Sequence, residues 1–256
     1  MDRKQPLVLV HGWGVNHGVW QQLTPLLADV FEVSTPDLPG FGLAVDTVPS
    51  PYQLTTVARQ MAAEIPAGAI VVGWSLGGLV ATQIALDFPD KVAVLGWVAS
   101  SPCFLQQSDW PGMKRQVLEQ FAVVLSQNLP LTVERFLAIQ AMGSETARQD
   151  IKALKQAVLA LPLPAESVLQ ATLAMLAATD LRGQLAKLPM PIAACFGQLD
   201  SLIPISMVPV LQQYRTQLEL TILPKASHAP FISHPKEFVD WIHSLTKYLS
   251  NDAISV

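Results

Sequence analysis

The chain has 256 residues, of which half are apolar and only 14% are charged, and its formal net charge at pH 7 is -4. A chain of this length can bury a full hydrophobic core, and α/β folds of this size often form one domain. The acidic balance argues against a nucleic-acid partner, and no run of the sequence approaches the roughly 18 uncharged apolar residues that a membrane-spanning helix needs.

The N-terminal segment and the two cysteines bear on the cellular compartment. The segment MDRKQPLVLVHGWG turns polar after one strand-length apolar run, so we expect no signal peptide. Cys103 and Cys195 are far apart in the sequence and form neither a CxxC pair nor a disulfide framework. We therefore expect a cytoplasmic protein in which both thiols are reduced and pack as small core residues.

Short β-rich runs alternate with helical stretches along most of the chain. The predicted strands are LVLVHG (7–12), FEVSTPDLPG (31–40), AIVVGWS (69–75), VAVLGWVAS (92–100), PIAACFGQLD (191–200) and LELTILPKASH (218–228). Helical spacing is found in 50–65 and 76–89. This order predicts an α/β fold with a mostly parallel central sheet flanked by helices, and a ligand site at the carboxyl ends of the strands.

The segment from Pro102 to Leu188 has a different pattern. It holds no convincing strand, it is rich in Leu, Ala and Gln, and it has one glycine between Gly112 and Gly183. This composition predicts a helical lid insertion over 102–188. Residues 1–101 and 189–256 would then form the core domain, with the lid above the carboxyl edge of the sheet.

A Gly-x-Ser-x-Gly turn, Gly73-Trp74-Ser75-Leu76-Gly77, follows the third predicted strand. Glycines two residues either side of a serine relieve crowding at a sharp strand-to-helix turn that leaves the hydroxyl exposed. The amides that begin the next helix favour an oxyanion. About one chain in ten of this length would contain the motif by chance. The strand before it and the helix after it therefore carry the prediction that Ser75 is a nucleophile.

A serine hydroxyl is a poor nucleophile without a base, and five histidines are available. His228 is the best placed, in a loop after the last predicted strand; the alternative is a loop histidine without a role. Asp200 follows the fifth predicted strand and is the candidate acceptor that would orient the imidazole. Asp37 is expected to shape the turn after the second strand. The chain order Ser75, Asp200, His228 is that of one particular fold.

Two backbone amides are the predicted donors to an oxyanion. One is the amide of Leu76, which follows the candidate nucleophile. The other is the amide of Trp13 in the loop HGWG (11–14), where Gly12 allows the backbone to turn. The loss of one such donor typically costs on the order of 3–4 kcal/mol of transition-state stabilisation.

These parts together carry a family resemblance. The stretches LVLVHGWG, PDLPGFG, GWSLGG, GQLDSLIP and SHAPFISHP resemble the α/β-hydrolases. Three further stretches, VASSPCF, DWPGMK and TVERFLAIQAMGSETARQD, resemble one family among them, the pimeloyl-[acyl-carrier protein] methyl ester esterases of biotin synthesis. This likeness extends over nearly the whole chain.

The resemblance implies a role for each candidate residue and a reaction. Ser75 would be the nucleophile, His228 the general base and acid, and Asp200 the orienting carboxylate. The remaining implied positions are the oxyanion-binding Trp13 and Leu76, and Phe136 as a substrate contact. The reaction would hydrolyse the methyl ester of a pimeloyl chain held on acyl carrier protein, release methanol and need no metal or cofactor.

A basic stripe is predicted on the helix formed by 144–161. Arg148, Lys152 and Lys155 fall at i, i+4 and i+7, on a different face from the apolar residues. One interpretation is a solvated helix face. The resemblance implies instead a dock for an acidic carrier protein, to which Arg135 would add. The stretch departs from the family pattern at Leu131 and Lys152, where arginines are expected.

Other functions use the same three residues. A general carboxylesterase, a carbon–carbon bond hydrolase and a cofactor-free haloperoxidase all remain open, whereas a haloalkane dehalogenase would need an aspartate in place of Ser75. Another alternative is a non-catalytic ligand-binding module that merely keeps the fold. Such a module would not need the three residues, all of which are present here. Candidate walls of an apolar pocket, any of which could instead be core, are Trp13, Trp74, Leu76, Phe136 and Met142. Such a pocket predicts promiscuous activity on short esters, and we expect a monomer.

Overall fold

The computed structural model describes residues 4–127, 138 and 147–253. In this part of the chain six strands form one sheet in which every neighbouring pair is parallel. The strands are β1 (Gln5–Val10), β2 (Phe31–Ser34), β3 (Ala69–Trp74), β4 (Val92–Val98), β5 (Ile192–Gly197) and β6 (Leu218–Leu223). All six predicted strands are confirmed. Each observed strand ends before the carboxyl end of the run that predicted it.

Helices connect the strands and cover both faces of the sheet. The α-helices of the described residues are α1 (Thr24–Leu27), α2 (Leu54–Ala62), α3 (Leu76–Asp87), α4 (Arg115–Gln127), α5 (Ala147–Leu159), α6 (Glu166–Ala178), α7 (Val208–Tyr214), α8 (Pro230–Ser233) and α9 (Pro235–Ser244). A short 3₁₀ helix, His17–Trp20, follows the turn after β1.

The order of the strands creates a crevice at the carboxyl end of the sheet. The order is β2-β1-β3-β4-β5-β6, so the chain leaves β1 towards one edge and returns to the other side of β1 as β3. Val10 pairs with Gly73, and the two strands therefore end at the same level. The loops that follow them diverge, which is the arrangement that opens a ligand site in open α/β sheets.

The central strands read as continuous apolar runs because both faces of the sheet are covered. All six residues of β3 are buried. Their side chains alternate between two clusters: Val71 belongs to the cluster that includes α2 and α3, whereas Val72 and Trp74 belong to the cluster that includes α8 and α9. The strand end that carries the next residue is consequently held from both sides.

The chain between β4 and β5 contains α4, α5 and α6, as the predicted helical pattern requires. Its first residues instead form a turn with isolated bridges, Leu105 to Met113 and Gln107 to Trp110. A further bridge joins Cys103 to Asp180 and brings the two ends of the segment together. Asp180 also binds the guanidinium of Arg182, which lies 5.3 Å from the ring centre of Trp110.

None of the helices in the described part of the chain combines the length and the apolar character that crossing a membrane requires.

Candidate active site

Ser75 occupies the sharp turn between β3 and α3. Its backbone has φ 53° and ψ −118°, a conformation that residues with a side chain rarely adopt. The Ser75 amide donates to the Val98 carbonyl at 2.9 Å. The Ser75 carbonyl accepts the Gly78 amide at 3.0 Å and the Ser100 hydroxyl at 2.7 Å. Val98 at the end of β4 and Ser100 just beyond it thus hold both peptide groups of the strained serine.

The glycines of the motif allow α3 to start against the ends of the strands. A Cβ on Gly73 would lie 2.3 Å from the carbonyl oxygen of Gly77. A Cβ on Gly77 would lie 2.4 Å from the carbonyl oxygen of Val10. Both distances are to backbone atoms that cannot move aside easily. The Gly-x-Ser-x-Gly pattern is therefore a packing requirement of this turn.

His228 is bound to Asp200 inside the protein. His228 Nδ1 lies 2.8 Å from Asp200 Oδ2, and both side chains are buried. The other carboxylate oxygen, Oδ1, accepts the amides of Leu202 and Ile203 at 2.8 and 3.0 Å. An ionised carboxylate can only accept, so Nδ1 is the ring nitrogen that carries the proton. Nε2 of His228 is buried and has no hydrogen-bonding partner among the described residues.

One cavity brings Ser75 and the free side of His228 together. Apart from these two residues its walls are apolar, and they come from the sheet loops and from the chain between β4 and β5. The wall residues are Trp13, Phe104, Met113, Leu118, Leu173, Leu176 and Leu202. Asp200 is behind His228, outside the lining. In this arrangement Ser75 could act as a nucleophile, His228 as its base, and Asp200 as the acceptor that orients the base.

Trp13 and Leu76 lie at the crevice between β1 and β3, and their role as oxyanion donors stays a prediction. Leu76 is the first residue of α3 and is buried. Trp13 is buried in the turn after β1, lines the cavity, and donates its indole N–H to the Leu169 carbonyl at 3.1 Å. Trp74 takes the core alternative: it packs against Trp20 and donates to the His228 carbonyl at 2.8 Å.

His11 supports the same turn from beneath. Its Nδ1 lies 2.8 Å from the carbonyl of Gly12, and its Nε2 accepts the Leu38 amide at 2.9 Å. Complete burial lowers the pKa of His11, chiefly by desolvation, against an opposing attraction from Asp37. The ring is thus neutral near pH 7 and fixes the carbonyl that precedes Trp13.

Asp37 shapes its turn, as predicted. It accepts the amides of His17 and Leu43 at 2.6 and 2.7 Å, and the His17 ring lies 2.7 Å away. Gly42 has φ +49°, and a Cβ there would lie 2.2 Å from the Asp37 carboxylate. Both oxygens of the carboxylate are thus engaged in hydrogen bonds with this part of the chain.

Three predicted carrier-docking residues lie on α5. Arg148 and Lys152 are exposed and Lys155 is partly exposed. Phe136, Arg135, Leu131 and Met142 lie outside the described residues, so the predicted substrate contact at Phe136 and the charge at Arg135 stay predictions.

Ser100 is a residue of this site that sequence reasoning missed. The stretch VASS contributed to the family resemblance, but nothing in its composition indicates that the first of its serines would reach the Ser75 carbonyl. A Cβ on Gly78 would lie 2.3 Å from Ser100 Oγ, so the third glycine of GWSLGG is the only signal of this approach.

Within the described residues, no group of three or more His, Cys, Asp or Glu side chains has the arrangement of a metal site.

Comparison with known proteins places these features in context. The model of the alpha/beta hydrolase family matches residues 7–241. A pimeloyl-[acyl-carrier protein] methyl ester esterase of Klebsiella pneumoniae is 47% identical over 91% of this chain and 90% of its own length. The protein of the same name from Aeromonas hydrophila is 45% identical, over 92% of this chain and 93% of its own length.

Solved structures share the fold at much lower identity. An esterase from Exiguobacterium antarcticum superposes with a TM-score of 0.85 and 21% identity, over 96% of this chain and 93% of its own. At that identity the likeness describes the fold alone. The sequence relatives and the family model together bear out the resemblance drawn from the motifs.

Proposed function

Because the chain belongs to the alpha/beta hydrolase family, we propose that it is a serine carboxylesterase that hydrolyses the methyl ester of pimeloyl-[acyl-carrier protein]. The products are pimeloyl-[acyl-carrier protein] and methanol, and the reaction belongs to biotin synthesis. Ser75, His228 and Asp200 are the proposed catalytic residues. The single observation that carries the proposal is that His228, bound to buried Asp200, shares a cavity with Ser75.

Each of these residues has a proposed role in the reaction. Ser75 Oγ attacks the ester carbonyl while His228 Nε2 takes its proton, and Asp200 stabilises the resulting imidazolium. The amides of Trp13 and Leu76 donate to the oxygen that becomes negative. His228 then gives its proton to the departing methoxide, so that methanol leaves. A water molecule, activated by His228, hydrolyses the acyl-enzyme.

The apolar walls of the cavity support a substrate without charge at the reacting end. A methyl ester is neutral, and it enters such a cavity without losing the hydration of a charge. Hydrolysis converts it into a carboxylate, which is costly to keep among Phe104, Leu173 and Leu176 without a partner. The same walls that accept the ester therefore favour release of the acid.

The carrier protein is proposed to dock on α5. Arg148, Lys152 and Lys155 supply positive charge there, with Arg135 as a fourth contributor. Charges of this kind mainly accelerate encounter with an acidic partner, and salt screens them. We further propose that residues 102–188 form a lid over the cavity and that Phe136 contacts the substrate. The protein is proposed to act in the cytoplasm as a monomer and without a cofactor.

A general short-chain carboxylesterase is the second candidate. It is favoured by the uniform apolar character of the cavity walls, since nothing among the described lining residues selects one acyl chain by hydrogen bonding. The two candidates share Ser75 and differ only in their use of the carrier.

Removal of the Ser75 hydroxyl tests the proposed chemistry. Ser75→Ala should lower kcat for methanol release from pimeloyl methyl esters by at least about 10⁴-fold, since the triad acts as a unit. Circular dichroism and the thermal midpoint should match those of the wild type. An organophosphonate should label wild-type Ser75, as detected by peptide mass spectrometry. Retention of activity in the variant would rule out Ser75 as the nucleophile.

A further inference from the structure

The turn after β1 is joined by two of its side chains to the two helices that follow one another between β4 and β5. Trp13 Nε1 donates to the Leu169 carbonyl of α6 at 3.1 Å. Asn16 Nδ2 donates to the Val158 carbonyl of α5 at 2.9 Å. Trp13 and Asn16 are 1% and 2% exposed, so both hydrogen bonds are shielded from water.

Asn16 completes two helix ends at once. Its Oδ1 accepts the Gly18 amide at 3.1 Å and caps the start of the 3₁₀ helix His17–Trp20. Its Nδ2 binds Val158, which lies in the last turn of α5, where carbonyls lack a partner within the helix. A buried amide that loses either bond carries an unsatisfied polar group. The side chain is therefore fixed only when α5 is seated on the turn.

The same turn carries a donor that the proposed chemistry needs. The backbone amide of Trp13 is three residues from Asn16, and an oxyanion donor is effective only when it is held close to the position of the developing charge. α6 contributes Leu173 and Leu176 to the cavity and binds the Trp13 indole. Seating of these helices thus bears on both the cavity and the oxyanion donor.

We propose that Asn16 is a positioning residue. It couples the packing of α5 to the conformation of the turn after β1 (residues 11–16), which carries the proposed oxyanion donor. Its two hydrogen bonds hold residues 11–16 in the conformation that presents the Trp13 amide, and they do so only while α5 is in place. The inference rests on the proposed esterase function and adds to it a residue that does not touch the substrate.

Asn16→Ser separates the two bonds of Asn16. Serine can still cap the 3₁₀ helix, but its shorter side chain does not reach Val158. With p-nitrophenyl acetate we expect kcat to fall by about tenfold while KM stays within about twofold. The reason is that the displaced group, the Trp13 amide, acts in the transition state. Amide hydrogen exchange should accelerate in residues 11–16 and in 155–161 together.

Gln5→Ala is the matched control. Gln5 Nε2 donates to the Gly68 carbonyl at 2.7 Å, a side-chain-to-backbone bond of the same kind at the opposite end of β1. Its loss should leave kcat and the exchange of both segments unchanged. If Asn16→Ser does not fold, Asn16→Asp replaces it, because aspartate keeps the volume and the cap and removes the donor.

Four results would overturn the inference. The variant could lose thermal stability while kcat stays at the wild-type value, which would make Asn16 a structural residue only. Exchange could accelerate in 11–16 but not in α5, which would remove the coupling. If the wild type itself does not hydrolyse the ester, the proposed function fails and the inference falls with it. Wild-type activity with an unaffected variant contradicts the inference alone.

Discussion

At the scale of single residues, the environment of Asp200 assigns one task to each carboxylate oxygen. Oδ1 accepts two backbone amides, which hold the side chain in place, and Oδ2 binds the His228 ring. The two functions can be separated by substitution, because an amide keeps the shape and one acceptor but cannot accept on both sides.

Asp200→Asn should keep the fold and remove most of the activity. The amide oxygen can still accept from Leu202 and Ile203, but the NH₂ group then faces His228 Nδ1 and favours the wrong tautomer. We expect kcat to fall by about 10⁴-fold, as such a change does in a serine protease triad. Steady-state kinetics and a thermal melt measure both effects. A drop of less than tenfold would show that the carboxylate does not orient the base.

His11 makes a prediction about stability and pH. Its pKa is lowered in the folded protein, so below the unfolded value of 6.5 the unfolded chain binds a proton that the folded chain does not. The contribution of His11 to the free energy of unfolding is complete above pH 6.5 and declines as the pH falls below that value. The slope is at most about 1.4 kcal/mol of unfolding free energy per pH unit.

Urea unfolding of the wild type and of His11→Gln between pH 7.5 and pH 5 tests this sign. The variant should be less stable at pH 7.5, since it loses a bond to Gly12, and its stability should depend less on pH below 6.5. Parallel pH profiles for the two proteins would show that His11 titrates alike in both states.

At the scale of elements, the start of α3 depends on how closely its backbone approaches β1. A methyl group on Gly77 would meet the carbonyls of Val10 and His11 at 2.4 and 2.5 Å. Relief requires α3 to move away from the strand, and with it Ser75.

Gly77→Ala should therefore destabilise the fold by about 1–3 kcal/mol, the usual range for overpacking, and lower kcat. Gly183→Ala is the control, because a Cβ there has no atom within 4 Å and the backbone is not left-handed. That variant should be unchanged or more stable by about 0.4–1 kcal/mol. Chemical unfolding measures both. Equal stabilities would contradict the packing argument.

The strands and the triad were predictable for different reasons. Strand runs such as AIVVGW are apolar throughout because both faces of the sheet are covered, and that pattern is local. The proximity of Ser75, Asp200 and His228 was predictable because each follows a strand at the same edge of a parallel sheet. Asn16 and Ser100 were not found, since each acts through a carbonyl distant in sequence, and a carbonyl leaves no trace in the residue type.

At the scale of the whole molecule, α5 presents basic side chains although the net charge is -4. The exposed Arg148 and Lys152 lie on α5, whose last turn is bound through Asn16 to the turn after β1. A carrier that docks on α5 would therefore contact the same helix that positions the proposed site.

Arg148→Ala/Lys152→Ala should lower kcat/KM for a carrier-linked ester at low salt and leave that for a free methyl ester unchanged. Raised salt should reduce the difference, because exposed charges are screened. Arg59→Ala/Lys236→Ala removes the same charges from exposed positions on α2 and α9 and serves as control. Equal losses in the two double variants would indicate a general charge effect in place of a dock.

The most direct test of the account compares wild-type kcat/KM for pimeloyl-[acyl-carrier protein] methyl ester with that for the matched free methyl ester. We predict a preference of at least about tenfold for the carrier-linked ester at low salt, falling as salt is raised. Equal values for the two esters, independent of salt, would contradict the carrier-specific function and leave a general carboxylesterase.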